Sequence, residues 1–455
     1  MQIEKSKGFT SSEALLSTLC DKVFLKAWCY ANPFNQNADE ICDLLAIFEN
    51  HVYIFFDRNK EFQKGRRRDL QIRWQRWKRS AIDAQIKTAI GAERYLKRGG
   101  KIYLDTKQSQ ELPVTFDPQK AVYHKIIVAH GAAKACKANS RKNLRGSLAV
   151  SYSDSVSENL ERPFFVNLSK KDKIHVLDTI TLPIVLQEFD TVFDLSEYLN
   201  EKEQVIEKLS LLVYCGEEDL IAHYFQNFDE ERSRHFIGAG VEKYASILVQ
   251  EGFWDDFYNS NVYSRRREAN KVSYVWDDLL QKTCSNALMG VLKGNGSVFS
   301  GPSAILEMAM EPRFHRRALS LHILKAINDF PDEVDGFFRN LSIMPSFYPR
   351  KSYVFLQLKG AVDSDIEEYR TKRTKMLEIA CGTLKNKQPE LDTIIGIAID
   401  SPKHSKFTAE DFLLLRCSSW SNDDKDYYHE LNKGFKFLST DSIKVSRRNI
   451  NEFPE

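Results

Sequence analysis

The chain has 455 residues, more than one hydrophobic core usually serves, which predicts two or three domains. Its hydrophobic fraction of 42% and charged fraction of 28% are those of an ordinary globular protein and exclude a disordered one. The net charge of +2 favours neither acidic nor basic partners.

The first elements predict a helix followed by a β-hairpin. Apolar residues recur at helical spacing behind a serine N-cap, so we expect a helix from about Ser12 to Trp28. The apolar runs 44–48 and 52–56 then predict two paired strands joined by Glu49, Asn50 and His51. Because both runs are apolar at nearly every position, we expect a sheet that is covered on both faces.

A long helix and two strands are expected to follow the hairpin. The helix is predicted over 69–97, with Trp74 and Trp77 on its inner face, and two glycines end it. The stretches 101–106 and 123–131 predict strands. The order helix, hairpin, helix, strand is typical of an α/β core, which we place in residues 1–150.

The remaining sequence predicts two more regions. Residues 151–346 are expected to be mostly helical, because several segments show a period of 3.6 residues. Residues 347–455 predict a small α/β unit with the order strand, helix, strand, strand. The fold class is therefore α/β, or α+β over the whole chain.

The hairpin is flanked by charges that suit a metal ion. Asp43 precedes the first strand, Asp57 and Lys60 end the second, and Glu13 lies on the preceding helix. Mg²⁺ and similar hard cations bind carboxylate oxygens. Such ions catalyse phosphodiester hydrolysis by polarising the phosphate and lowering the pKa of an attacking water. A hairpin with charged, solvated ends remains the simpler alternative.

The same residues resemble a known superfamily. A helix with Glu13, then "CDLLAIF", then "VYIFFDRNK" is similar to the PD-(D/E)xK nucleases, particularly the NERD-like and Mrr-like members. Their pattern is an acid, a β-hairpin and then (D/E/S)-x-K. The resemblance covers about the first hundred residues and implies a restriction-endonuclease-like core. It also implies that Asp43, Asp57 and Glu13 bind Mg²⁺ or Mn²⁺.

The second half of this motif departs from the superfamily pattern in one of two ways. If Phe56 occupies the acid position, the acid is lost and Arg58 stands in place of the lysine. If Asp57 is the acid, Asn59 occupies the lysine position and Lys60 comes one residue late. The expected catalytic set is therefore Asp43, Asp57 and Glu13, with Lys60 or Arg58 stabilising the phosphate.

A basic segment follows the hairpin. Between Arg58 and Arg98 there are fourteen lysines or arginines and only four acids, a local charge of +10. Basic residues that neutralise phosphates release counterions and raise affinity for any nucleic acid. The candidate phosphate contacts are Arg66, Arg67, Arg68, Arg73, Arg76, Lys78 and Arg79. For Trp74 and Trp77, core packing is favoured over base stacking.

Other features bear on localisation and on alternative sites. No apolar run approaches the about 18 residues of a membrane span, and the N-terminus lacks a secretory signal. Eight scattered cysteines without a CxxC pair favour a reducing, cytoplasmic compartment. The ten histidines form no HxH or HExxH pattern, so His175, His223 and His315 are expected to be structural.

A second likeness extends along most of the chain. "SEALLSTLC", "GAERYL", "GEEDLIAHYF" and "YSRRREANKVSYVWDDL" resemble a set of uncharacterised bacterial proteins, many encoded near mobile elements and defence genes. The expected function is a metal-dependent nuclease, or a degenerate relative, that acts on DNA in anti-phage defence. The alternative is a non-catalytic sensor or adaptor that binds nucleic acid or a protein encoded by a neighbouring gene.

Overall fold

A computed structural model describes residues 5–140, 145–154, 162–229, 234–238, 246–288, 301–359, 366–405, 410–439 and 451–454. The architecture is mixed α/β, which confirms the expected fold class. The chain divides into two compact units, one comprising Ile3–Ser264 and the other mainly Arg265–Glu455. None of the described helices has the length and apolarity needed to cross a membrane.

The first unit contains the following strands: β1 Cys29–Ala31, β2 Leu44–Phe48, β3 His51–Asn59, β4 Val122–His130, β5 Ala149–Ser153, β6 Phe165–Ser169, β7 Ile174–Asp178, β8 Leu211–Tyr214, β9 Phe228–Asp229, β10 Arg234–His235 and β11 Ser246–Val249. Its main sheet has the order β1-β2-β3-β4-β7. β2 is antiparallel to both of its neighbours, whereas β3, β4 and β7 are parallel. A second sheet has the order β11-β8-β5-β6, and β9 pairs with β10.

The helices of this unit are α1 Ser11–Val23, α2 Leu70–Lys78, α3 Ala84–Lys97, α4 Ala133–Asn139, α5 Thr181–Glu188, α6 Val192–Lys208, α7 Glu217–Gln226 and α8 Phe253–Tyr258. The division between the two units, after Ser264, falls within helix α9, Asn261–Asn270. The predicted hairpin is confirmed as β2 and β3, and the strand predicted over 123–131 is confirmed as β4. All five residues of β2 are buried, as expected for a sheet covered on both faces.

The first helix is shorter than expected. It ends at Val23, and Leu25 adopts a positive φ of 61°, which breaks the helical path before the unpredicted strand β1. The strand expected over 101–106 is also reduced, to isolated bridges from Tyr103 to Phe34 and Glu111. Both differences come from short segments, where pairing with a neighbour outweighs local propensity.

The long helix predicted over 69–97 forms as two α-helices, α2 and α3, joined by a π-helical turn at Arg79–Asp83. Trp74 and Trp77 are buried and pack against each other. Trp74 also packs on Phe164, and Phe62 packs on both Trp77 and Phe164. The expected core packing of the two tryptophans is confirmed. Neither indole is available as a stacking surface for a base.

The two faces of the main sheet contact different helices. Tyr53 of β3 packs on Phe24 at the end of α1, and its hydroxyl group bonds Ser196 of α6. Lys125 of β4 points to the opposite face, where its ammonium group lies 2.5 Å from the Glu93 carboxylate of α3. Side chains alternate along a strand, so Asp57 shares the α1 and α6 face with Tyr53.

The boundaries expected at residues 150 and 346 do not coincide with the division into two units. Strand β7 pairs in parallel with β4, which extends the main sheet past residue 150 into the region expected to be mostly helical. The pairing partner of an isolated apolar run lies far away in sequence, and periodicity does not identify it.

The second unit contains α10 Tyr274–Leu288, α11 Gly301–Ala309, α12 Arg313–Asn328, β12 Phe338–Pro345, β13 Lys351–Lys359, α13 Ile366–Lys387, β14 Thr393–Asp400, β15 Asp411–Arg416 and α14 Asn422–Phe435. The predicted order strand, helix, strand, strand is confirmed as β13, α13, β14 and β15, while β12 and α14 were not predicted. Arg373 of α13 is fully buried and binds Asp400 and Asp411, at 2.8 and 2.7 Å.

We expect Arg373→Ala to destabilise the second unit by about 3–5 kcal/mol, because it leaves the partly buried Asp400 and Asp411 carboxylates without this partner. The measurement is urea unfolding. The control is Lys372→Ala, whose ammonium group pairs with Glu368 at the surface and should change stability little. Equal midpoints for the two variants would contradict this prediction.

Candidate active site and metal centre

Asp57 and His130 meet at the carboxyl-terminal edge of the parallel strands. His130 ends β4 and pairs in register with Asn59, two residues after Asp57 on β3. The His130 Nε2 atom lies 3.0 Å from Asp57 Oδ2, and His130 Nδ1 lies 3.0 Å from the Thr179 hydroxyl oxygen. This edge is where ligands commonly bind in open α/β sheets.

Asp57 has one carboxylate oxygen available. Its Oδ2 atom faces His130, whereas Oδ1 is buried without a hydrogen-bond partner. Leaving a buried carboxylate oxygen unbonded is unfavourable, so such an atom indicates a missing ligand or water. The side chain does not face solvent, since only 1% of it is exposed.

Asp43 lies next to Asp57 across the hairpin. Its Oδ2 atom accepts a hydrogen bond of 2.7 Å from the backbone N–H of Asp57. Burial, together with the nearby carboxylates of Glu40, Glu13 and Asp57, raises the pKa of Asp43 to about 7, against the lowering effect of the hydrogen bond from the Asp57 N–H. In the absence of a cation, this carboxyl group therefore holds a proton for part of the time at neutral pH.

Glu13 approaches the same place but has structural partners. Its carboxylate accepts hydrogen bonds from the Thr10 hydroxyl and the Phe9 backbone N–H at the start of α1. The side-chain amide of Asn32 donates to Glu13 Oε2 at 3.0 Å and to Glu40 Oε1 at 2.7 Å. Glu13 thus fixes the helix and adds negative charge near Asp43, and its role as a metal ligand stays a prediction.

The two cationic candidates lie at the surface. Arg58 and Lys60 are exposed, as is Asn59 between them. The Lys60 backbone is nevertheless fixed beside β4: its N–H donates to His130 and its carbonyl accepts from the Trp77 indole, at 3.3 and 2.8 Å. A Cβ atom on Gly131, which has a φ of +103°, would lie 2.0 Å from the Lys60 carbonyl oxygen. Only glycine allows this approach.

The basic segment is divided between structural and exposed side chains. Arg73 donates to the carbonyls of Gln63 and Arg66, at 2.7 and 3.0 Å, and Lys78 binds Asp83. Four arginines, by contrast, are exposed: Arg66, Arg68, Arg76 and Arg79. The side chain of Arg67 lies outside the described side chains. The exposed arginines are the ones available for phosphates.

Two further acids lie near this edge of the sheet. Asp178, at the end of β7, accepts backbone hydrogen bonds from Leu148, Ile180 and Thr181, and so fixes the chain around it. Burial, followed by the charge of Asp178, raises the pKa of Glu218 to about 8. Glu218 is therefore mostly protonated at neutral pH and offers no charged carboxylate to a cation.

A tighter set of ligands lies elsewhere in the unit. Among the residues that the structure describes, His124, His175 and Glu203 are the one trio of potential ligands whose donor atoms all lie within 4.8 Å of one another. The carboxylate oxygens of Glu13, Asp43 and Asp57 do not meet this distance criterion, so the three expected ligands do not surround a single point.

Sequence reasoning missed His130, Asn32 and Glu40. His130 ends the predicted strand 123–131, so parallel pairing with the hairpin would have placed it beside Asp57. No local pattern in the sequence indicates that pairing. Asn32 directly follows strand β1, which local patterns did not identify, and its role follows from a hydrogen bond to Glu13 nineteen positions away.

The chain was compared with known proteins in three ways. No protein-family model, no curated protein and no solved structure matches it.

We expect Asp43→Asn to stabilise the metal-free protein increasingly as the pH rises from 5 to 8. The folded state of the wild type holds the Asp43 proton up to about pH 7, whereas the unfolded state releases it near pH 4. The free energy of unfolding of the wild type therefore falls by about 2–4 kcal/mol across that window because Asp43 loses its proton, and Asp43→Asn has no such decrease. Thermal unfolding of both proteins at each pH is the measurement.

The difference between the two melting temperatures isolates Asp43 from other titrating groups. A difference that stays constant from pH 5 to 8 would contradict the raised pKa. Adding Mg²⁺ at pH 8 should stabilise the wild type more than the variant, because a bound cation compensates the Asp43 charge.

Proposed function

We propose that the first unit is a divalent-cation-dependent phosphodiesterase that acts on nucleic acid, with DNA as the first substrate to test. One observation carries the proposal. Asp57 has a buried Oδ1 atom without a hydrogen-bond partner, and its backbone N–H donates a hydrogen bond to the Asp43 carboxyl group. Asp43 itself has a raised pKa. Both features are unfavourable in the free protein, and a cation would relieve both.

The donor atoms suit Mg²⁺ or Mn²⁺. Asp57 and Asp43 offer carboxylate oxygens, which hard cations prefer. When bound, such an ion would polarise a phosphate and lower the pKa of a water. Glu13 adds negative charge that strengthens cation binding.

The protein's own groups would orient these ligands. His130 contacts Asp57 Oδ2 and is itself in contact with the Thr179 hydroxyl group, which fixes the Asp57 carboxylate and leaves Oδ1 for a cation. A partner that orients a ligating carboxylate raises metal affinity. The exposed Lys60 or Arg58 would contact the substrate phosphate.

The surface charge supports a nucleic-acid substrate. Arg66, Arg68, Arg76 and Arg79 are exposed on the segment that follows β3, the strand that carries Asp57. Arginine binds phosphate through a planar fork of donors and needs no particular base sequence. The sequence resembles the PD-(D/E)xK nucleases and also uncharacterised bacterial proteins encoded near defence genes. On the basis of these two resemblances the proposal includes a role in anti-phage defence.

We expect the full chain to cleave plasmid DNA with Mg²⁺ or Mn²⁺, and Asp43→Asn and Asp57→Asn to lower the rate by about 100-fold or more. Single-stranded DNA and RNA serve as parallel substrates. The control is Asp332→Asn, an exposed aspartate of the second unit that should leave the rate unchanged. Cleavage that is equal in all four proteins, or that persists in chelator, would end this assignment.

The alternative is a non-catalytic binding protein that recognises nucleic acid or a partner protein through the same fold. It is favoured by Asn59, which occupies the lysine position of the motif, and by the exposure of Arg58 and Lys60. Binding to plasmid DNA without cleavage under any of the metal conditions would select this alternative.

Nucleic-acid binding itself is testable through its salt dependence. We expect the double variant Arg76→Gln/Arg79→Gln to weaken DNA binding and to reduce the slope of log K against log[salt] by about 1–2, because fewer counterions are released. Fluorescence anisotropy with a labelled duplex gives the slope. The control Lys372→Gln alters one exposed charge in the second unit, and an equal effect there would contradict the assigned surface.

A further inference from the structure

A second cluster of titratable side chains lies on the α6 face of the main sheet, away from the carboxylate site. His124 of β4, His175 of β7 and Glu203 of α6 are all buried. Glu203 Oε1 lies 2.9 Å from His124 Nδ1 and 3.1 Å from His175 Nε2. His124 precedes His130 by six residues on the same strand, which separates this cluster from the site at the strand end by about 20 Å.

The lysine next to Glu203 in sequence is already paired with another carboxylate. The Lys202 ammonium group is bound to Glu217 at 2.6 and 2.7 Å. The Glu203 carboxylate instead lies between the His124 and His175 rings. A buried carboxylate placed between two imidazoles is a set of groups that can share one cation.

The geometry is close to that of a metal centre. The donor atoms of the three side chains all lie within 4.8 Å of one another. Zn²⁺ with ligand bonds of about 2.0–2.2 Å needs donors about 3.3 Å apart. The two imidazole nitrogens lie 2.9 and 3.1 Å from Glu203 Oε1, so these two separations are within a few tenths of an ångström of that distance. Neutral imidazole and carboxylate are ligands that Zn²⁺ accepts.

Outer partners already hold His124 in a suitable orientation. Its second ring nitrogen, Nε2, lies 3.1 Å from His51 Nδ1, and Tyr53 stacks on the ring with centroids 4.9 Å apart. Metal-bound histidines usually have such a partner on the nitrogen that faces away from the ion.

We propose that His124, His175 and Glu203 form a buried Zn²⁺ site that joins α6 to strands β4 and β7. The site is structural, because all three of its side chains are buried. It offers two imidazole nitrogens and one carboxylate oxygen, whereas the other candidate site offers carboxylates alone. It does not depend on the proposed phosphodiesterase activity.

The test is the zinc content of the full chain. Protein purified without chelator and dialysed against Zn²⁺ and then buffer should hold about one zinc per chain by mass spectrometry. His175→Gln and Glu203→Gln should lose it. His429→Gln, an exposed histidine of the second unit, and Asp43→Asn, at the other site, should both retain it.

A measurement on the wild type alone covers the case in which the variants do not fold. Co²⁺ in place of Zn²⁺ should give visible absorption that free aqueous Co²⁺ lacks, and strong chelation should lower the melting temperature. The proposal is overturned if the wild type takes up neither ion, or if zinc is lost in Asp43→Asn and retained in His175→Gln.

Discussion

The parallel pairing of β3, β4 and β7 is the constraint on which the rest of the first unit depends. Parallel strands carry equivalent ends to one edge of a sheet, and here that edge receives Asp57 and His130 from neighbouring strands. The same register places Phe55, Ile126 and His175 in one row across the sheet. A shift of one residue would turn every one of these side chains to the opposite face.

The unit thus presents two chemically distinct sets of ligands on one scaffold. The edge offers carboxylate oxygens, with one buried oxygen of Asp57 unbonded and a raised pKa for Asp43. The α6 face offers imidazole nitrogens around one carboxylate, that of Glu203. Hard cations prefer carboxylate oxygens and Zn²⁺ also accepts imidazole nitrogen, so the two proposals concern different ions and are tested independently.

The hairpin illustrates what local pattern predicts well. Continuous apolar runs bounded by polar residues specified β2 to the residue and all but the ends of β3, and the same reasoning identified β13, α13, β14 and β15. Short or isolated segments escaped it: β1 forms because Ala31 and its neighbours pair with β2, and β7 because it pairs with β4. Their strand character comes from partners that are distant in sequence.

The sequence by itself determined the α/β class, the buried hairpin, the core role of the tryptophans and the acidic residues beside the hairpin, because these follow from spacing and residue type. The tertiary structure alone decided that His130 meets Asp57, that Glu13 is held by Thr10 and Asn32, and that His124, His175 and Glu203 converge. Those contacts join residues up to 79 positions apart, and only the register of strands and helices brings them together.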